Sequence, residues 1–325
     1  MILVIEVKNM KYKSIALKAI KLYNINFSEI VYLTEETNVF YYVKTNQKDY
    51  VLKIFQEESS NYNDNLTEHY LIGVVHENTN IITPRVVKNS EGNSITKIPF
   101  NNPRGYKRIA LYEYISGEPI FGHEDLHYFR SIGKEMAKMH LATEHLVFPD
   151  YVNPKKWDSI FYYENETPVY HEKKYKKYVT EEMIEILDQL IPYINQRLKD
   201  FYESDKPQLI HADMNPWNIK KAKNNYIIYD FEETMLAYPI HDISIFMYYY
   251  KFNDNINYHD LKFAFLKGYE SVKPLPINLN EKSMELIMMA RRINFFNYVL
   301  TINPNPKEYL EMSFLRIKEY FLSYK

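Results

Sequence analysis

Eight residues, His211-Ala212-Asp213-Met214-Asn215-Pro216-Trp217-Asn218, follow the apolar pair Leu209-Ile210, and Asp230-Phe231-Glu232 begins twelve positions after Asn218. This HxDxxxxN…DFE pattern constrains the chain more than any other feature. It predicts a tight polar loop carrying one carboxylate and one amide. A second carboxylate then ends a short strand, Tyr226–Asp230. Phosphoryl transfer uses such a set: one carboxylate accepts the proton of an attacking hydroxyl, while an amide oxygen and a second carboxylate hold magnesium on nucleotide phosphates. The competing reading takes Asp213 and Asn218 as ordinary turn formers around Pro216. Other parts of a nucleotide site, found upstream in the right order, favour the chemical reading.

The rest of the chain divides by its periodicity. Residues 12–23 read as a short amphipathic helix. Three strand-like runs follow, Glu29–Leu33, Val39–Lys44 and Tyr50–Phe55, the last two joined by the polar turn Thr45–Asp49 as in a hairpin. Residues 64–76 carry Leu66, Tyr70, Leu71 and Val74 at helical spacing. Two strands are expected around the turn Asn89–Asn93, and another over Tyr106–Tyr114. The pattern then turns helical: Glu124–Leu146, 180–202 behind a Thr180 cap, 241–251, 258–272, 280–302 and 306–323. Residues 150–178 show no period, and their basic run is read as a solvated face. At 325 residues the chain exceeds a typical single core. The expectation is an α+β fold, with a small antiparallel-sheet lobe over residues 1–114 and a larger helical lobe over 115–325.

Composition excludes several classes of function. A net charge of −2 gives no general attraction for nucleic acid or anionic membrane. With no cysteine there are no disulfides, thiolate metal sites or cysteine nucleophiles. Met1–Val7 is too short and too soon acidic for a signal peptide, and no apolar run reaches the length of a membrane span. A cytoplasmic protein, monomeric or dimeric, is expected. The 32 tyrosines are read chiefly as a genomic compositional bias.

Lys53 lies in the third strand, where an inward ammonium is costly to bury without an anion. Phosphate oxygens supply one, and Glu68, opening the apolar part of the 64–76 helix, is the expected partner that orients it. Glu57 and Glu58 are rivals, expected to face solvent. The turn Thr34–Asn38 is placed to cover nucleotide phosphates but contains no glycine. Thr37 and Asn38 are its candidate donors. Asp242 is read as the N-cap of a helix that also braces the catalytic loop through backbone amides. His211 is read as a structural histidine holding that loop, and His140 as core. Arg291, Arg292, Asn294 and Asn297 share a late helix from which an acceptor is within reach, although a surface or interhelix role fits each better.

With these parts in order, the chain resembles the aminoglycoside phosphotransferase and choline kinase family. The resemblance rests on Tyr50–Phe55, Glu68–Val75 with Pro84, Leu111–Gly117, Ile132–His140, Leu209–Asn218, Tyr229–Glu232 and Asp242-Ile243. It implies a protein-kinase-like fold that uses ATP or GTP with Mg2+. It also implies that Asp213 is the catalytic aspartate, that Asn218 and Asp230 are the metal ligands, and that Lys53 is the phosphate lysine. Backbone groups near Glu113 and Ile115 then meet the base edge, and Tyr112 lines the back of the base pocket, where its ring favours GTP at least comparably with ATP. The opposing reading packs Tyr112 into the sheet core. Two departures stand out: Ala212 replaces the family's usual glycine, and the nucleotide loop lacks its usual glycine and serine. The implied acceptor is a hydroxyl of a small molecule, an antibiotic among the choices. Choline- or homoserine-like metabolites, protein serine or threonine, and a pseudokinase binding module are the alternatives. Aminoglycoside sites are acidic, whereas residues 241–325 are slightly basic, so a polycation is not favoured.

Overall fold

The computed structural model describes residues 12–57, 60–100, 105–122, 124–163, 166–204, 206–253 and 256–324. Met1–Val7 and Glu58 lie outside the described residues. The chain divides into two compact units. The first comprises Met1–His123, Leu146–Pro154 and Trp217–Thr234; the second comprises Glu124–His145, Lys155–Pro216 and Met235–Lys325.

The first unit is built on an antiparallel sheet. Its strands are β1 (Phe27–Glu35), β2 (Val39–Thr45), β3 (Tyr50–Ile54), β4 (Val86–Val87), β5 (Thr96–Pro99) and β6 (Tyr106–Glu113), in the order β1-β2-β3-β6-β4, with β5 also on β6. The two strands expected around Asn89–Asn93 therefore both form, but each pairs with β6 and not with the other. Helix α1 (12–20) buries Ile15, Ala16, Ala19 and Ile20 against Val39, Tyr41, Val43, Leu52, Ile54, Ile109 and Leu111 on one sheet face. Because side chains alternate along a strand, that register sends Lys53, Ala110 and Tyr112 to the other face, towards α2 (Tyr62–Asn78). Helix α2 starts at a capping box in which Asn61 and Asp64 satisfy each other's backbone amides. β7 (Glu118–Pro119), β9 (Ile219–Ala222) and β10 (Asn225–Ile228) complete the unit as a second antiparallel sheet, β10-β9-β7. The β9–β10 hairpin turns at Lys223, whose φ of 56° is left-handed without a glycine to announce it.

The second unit holds α3 (Leu126–Thr143), α4 (Glu181–Ser204), α5 (Pro239–Lys251), α6 (Tyr258–Glu270), α7 (Glu281–Ile302) and α8 (Lys307–Tyr324), with the two-stranded sheet β8 (Gln208–Ile210) and β11 (Met235–Ala237). The expected helices are present, and Thr180 caps α4 by accepting from Met183 N at 3.2 Å. Helices α3 and α6 approach closely. A Cβ on Gly133 would lie 2.1 Å from Phe265 O, and one on Gly268 1.9 Å from Arg130 O, so any side chain at either position forces the helices apart. β8 enters the polar loop from this core and β11 leaves the DFE segment to pair with it, Ile210 opposite Met235. The short apolar runs on either side of the motif therefore anchor it.

Candidate active site

Two polar clusters contain most of the residues singled out in the sequence, one in each unit. In the first unit Lys53 is buried, and its Nζ lies 3.4 Å from both Glu68 oxygens and 3.1 Å from Glu232 Oε2. Burial alone would depress the ammonium's pKa. The carboxylates of Glu232, Glu68 and Asp230 outweigh it and hold the group above the ordinary lysine range. Burial pushes Glu68 the other way, up to about 7, because one ammonium cannot neutralise several carboxylates around it. Glu57 is exposed and lies 4.0 Å from Lys107, away from Lys53.

Tyr112 is buried on the Lys53 face. Its hydroxyl donates to Glu68 Oε1 at 2.8 Å and lies 2.9 Å from His69 Nε2. The ring thus braces the glutamate that orients Lys53, a role open only to a residue on this face of β6. Burial, followed by the nearby Lys53, lowers His69 to about 3 and keeps its imidazole neutral. Asn38 is also buried. Its amide donates to Glu232 Oε2 at 2.6 Å, and its carbonyl accepts from Gln56 N at 3.0 Å. Thr37 beside it is exposed. The β1–β2 turn is therefore tied down through a side chain where the family pattern has a glycine. At the end of β6, Glu113 N donates to Arg85 O at 2.9 Å, and Ile115 O accepts from Tyr229 OH at 2.7 Å.

The β9–β10 hairpin brings Asn218 and Asp230 together. Ile219 pairs with Ile228, and Tyr229 N donates to Asn218 O at 2.9 Å, so the two residues stand at adjoining strand ends. Asp230 adopts a φ of 56°. That backbone is unfavourable for a residue with a Cβ, although aspartate tolerates it better than most. An amide oxygen and a carboxylate are hard donors suited to a magnesium that keeps waters and phosphate oxygens as its other ligands. Among the described residues no group of three or more His, Cys, Asp or Glu side chains is placed to hold a metal by itself.

In the second unit Asp242 is fully buried and organises the start of the loop. It accepts His211 N at 3.0 Å and Ala212 N at 2.6 Å, and it lies 3.0 Å from His140 Nε2. Burial would raise its pKa. Hydrogen bonding and charge from His140, with His211 beyond it, win and hold the carboxyl below the ordinary range. Asp242 is not the N-cap that the sequence suggests. Helix α5 begins at Pro239, a residue suited to the first helical position, with Tyr238 as its N-cap, which leaves the Asp242 side chain for the loop. His140 is core as expected and also a partner, its Nδ1 lying 2.9 Å from Tyr269 OH. Ala212, where the resemblance has a glycine, sits at φ 65°. His211 is buried, and its Nδ1 accepts from Asp213 N at 3.3 Å.

Asp213 projects from this braced loop. Oδ1 accepts from Arg291 Nη2 at 2.6 Å and Oδ2 from Asn215 Nδ2 at 3.0 Å. Arg291, for which the sequence favours a surface or interhelix role over reach to an acceptor, is nearly buried and pairs with the central carboxylate. Nothing local signals a contact between residues 78 positions apart. Its neighbours do serve structure: Asn294 donates to Ile160 O at 2.9 Å, Asn297 donates to Thr167 O at 3.0 Å, and Arg292 stacks on Tyr248 and Phe252. Glu232 is the other residue missed, although the DFE run displayed it.

A family model described as the phosphotransferase enzyme family matches residues 33–275. An amicoumacin kinase of Bacillus subtilis (strain 168) is 23% identical over 266 residues, covering 76% of this chain and 73% of that protein. Among solved structures, the amicoumacin kinase hAmiN, in complex with AMP-PNP, Ca2+ and Ami, aligns with a TM-score of 0.77 at 20% identity over 98% of this chain and 96% of its own. A microcompartment-associated aminopropanol kinase aligns with a TM-score of 0.71 at 15% identity, over 95% and 97%. A choline kinase from Cryptosporidium parvum Iowa II aligns at 0.63 and 16%, over 96% of each chain. The α+β architecture is thus the protein-kinase-like fold that the motifs imply.

Proposed function

We propose that this chain, which belongs to the phosphotransferase enzyme family, transfers the γ-phosphoryl group of ATP to a hydroxyl of a small molecule, and that an antibiotic is the acceptor class to test first. The observation that carries the reading is Asp213, held by Arg291 and Asn215 at the end of a loop pinned through Asp242. Asp213 takes the hydroxyl proton of the acceptor. The acceptor oxygen bonds to the γ-phosphorus as the bond to the bridging β–γ oxygen breaks, and ADP leaves with that electron pair. Lys53, oriented by Glu68, binds nucleotide phosphate. Asn218 and Asp230 hold the magnesium, which when bound offsets phosphate charge. His211 and Asp242 fix the loop geometry.

On this reading the nucleotide belongs chiefly with residues 1–114, and residues 115–325 supply the catalytic loop and the acceptor side. Asn38 and Thr37 lie in the turn over the phosphates, and backbone at Glu113 and Ile115 meets the base. Tyr112 tunes the base pocket, so GTP competes with ATP. The enzyme works in the cytoplasm, where such nucleotides are made. Among the described residues no helix is long and apolar enough to cross a membrane.

The antibiotic reading is supported by the likeness to amicoumacin kinases, in sequence over 76% of this chain and in structure with a TM-score of 0.77. A metabolite amino alcohol is the second reading, favoured by the likeness to an aminopropanol kinase at a TM-score of 0.71. The test is ADP production from Mg2+·ATP and Mg2+·GTP against amicoumacin, spectinomycin, choline and aminopropanol, with Asp213→Ala as the blank. Acceptor-dependent turnover with one of the antibiotics supports the first choice. Turnover confined to choline or aminopropanol selects the second, and none with any hydroxyl compound contradicts both.

A further inference from the structure

In the proposed reaction Asp213 meets the acceptor hydroxyl and Arg291 meets Asp213. A guanidinium side chain only 9% exposed, 2.6 Å from a carboxylate 16% exposed, is a costly arrangement to keep as packing. It comes from α7, across 78 residues, to reach one loop atom. Arg291 is itself aimed by aromatic groups of the same unit: Nη1 lies 3.4 Å from Tyr162 OH, and its plane lies over Phe295 at 5.7 Å.

We propose that Arg291 is a positioning residue for phosphoryl transfer: its guanidinium fixes the Asp213 carboxylate in one orientation and keeps it ionised to receive the acceptor hydroxyl. The inference rests on Asp213 being the group that meets the hydroxyl. Three features carry it. The ion pair uses Oδ1 while Asn215 uses Oδ2, so the carboxylate plane is set from both sides. Each carboxylate oxygen carries more than one lone pair, so a bond to Arg291 or to Asn215 does not by itself use up that oxygen's accepting capacity. The third feature is electrostatic. An adjacent cation favours the charged form of a carboxylate, and the other groups facing Asp213 do not replace it. Tyr249 of α5 acts on the Asp213–Arg291 pair but is pushed up to about 12 by burial, so it is neutral in the working range. Asn215 is uncharged. His211 meets Asp213 through its ring Nδ1, which accepts from the Asp213 backbone amide, and Asp242, one hydrogen bond further along through Ala212, is an anion. Of these named groups Arg291 is the one that is charged throughout the working range. A lysine in its place would keep the charge and lose the planar fork that also engages Tyr162.

The test needs no knowledge of the acceptor. Slow Mg2+·ATP hydrolysis, with water as acceptor, is followed as a function of pH for wild type, Arg291→Met, Arg291→Lys and Asp213→Asn. The expected result is a fall of about 10- to 100-fold in kcat for Arg291→Met, with the acidic limb of the profile moved to higher pH. Arg291→Lys is expected to return the limb towards wild type while recovering only part of kcat. The pH of half-maximal activity does not depend on how much protein is folded, so partial unfolding of the Met variant does not mimic the shift. An acidic limb that Arg291→Met leaves in place, or that Arg291→Lys fails to restore, overturns the proposal, as does turnover in Arg291→Met at or above wild type. Asp213→Asn separates the two ideas. If it hydrolyses ATP as fast as wild type, the reading of Asp213 fails. If it is inactive and the Arg291 limb is unmoved, only the role of Arg291 fails.

Discussion

In the first unit three carboxylates, Glu68, Glu232 and Asp230, act on one buried ammonium, Lys53. In the second unit one carboxylate, Asp213, is met by one guanidinium, and the other, Asp242, by two backbone amides and a histidine. The first arrangement gathers carboxylates about a buried ammonium, and burial, with the neighbouring Glu232 and Asp230 adding to it against Lys53, pushes the Glu68 carboxyl up to about 7. In the second each carboxylate has its own set of donors, and burial, which would raise Asp242, is outweighed by His140 and His211, so that carboxyl is held low inside the core. The difference suits two tasks. A region with several clustered carboxylates gains by receiving a cation, as a metal-bound nucleotide provides. A region in which each carboxylate is held by its own donors can present one oriented oxygen to a neutral hydroxyl.

The largest effect that separates the regions is on turnover. Asp213→Ala is expected to lower kcat by about 10²- to 10⁴-fold in a steady-state assay while leaving nucleotide affinity near wild type. Loss of affinity in step with kcat would erase the division of labour. Asp242→Ala comes next. It leaves the His211 and Ala212 amides without their buried acceptor, and removing one member of such a buried charged network costs about 3–5 kcal/mol. Urea unfolding measures it, and a cost under about 1 kcal/mol would mean that water or another group takes over the brace.

A smaller effect is set by pH. Burial lowers His241 in the second unit to about 4 and His69 in the first to about 3. For a histidine whose folded pKa is depressed, the unfolded chain binds the proton first. Stability present above about pH 6.5 is then lost as the pH falls towards the folded values. At pH 6 each contributes a loss of about 1 kcal/mol. His241→Phe should flatten the decline seen in urea unfolding between about pH 6.5 and 4, and an equally steep decline in that variant assigns the loss elsewhere. The smallest effect concerns Ala212 at φ 65°. A residue with a Cβ costs roughly 1–2 kcal/mol in this region, and glycine costs roughly 0.5–1 kcal/mol in unfolded-chain entropy. Ala212→Gly should therefore stabilise by about 0.5–1 kcal/mol. A loss of stability would show that the Cβ packs well enough to offset the strain.

What could be read from the sequence followed local rules. Apolar periodicity located the helices from α2 to α8, and alternation located β1, β2, β3 and β6. The spacing of Lys53, Glu68, Asp213, Asn218 and Asp230 located the polar groups. Two kinds of feature could not be read. The β9–β10 hairpin turns on Lys223, which takes a positive φ with no glycine or Asn-Gly to mark it, and β9 over Ile219–Ala222 was not among the strands expected. The partners Arg291 for Asp213, Glu232 for Asn38 and Tyr112 for Glu68 are fixed by tertiary packing across 78, 194 and 44 residues. Tyr112 shows the difference clearly. Strand alternation places it opposite the apolar core, but only the packed helix α2 shows that its hydroxyl ends on Glu68.

The most direct test is calorimetric titration of AMP-PNP, with and without Mg2+, into wild type, Asp230→Ala and Asp213→Asn. Mg2+ is expected to strengthen nucleotide binding in wild type and in Asp213→Asn alike, and Asp230→Ala to abolish this enhancement. Retention of the full Mg2+ effect in Asp230→Ala, or its loss in Asp213→Asn, would contradict the assignment of the first unit's cluster to the metal-bound nucleotide and of the second unit's cluster to the hydroxyl.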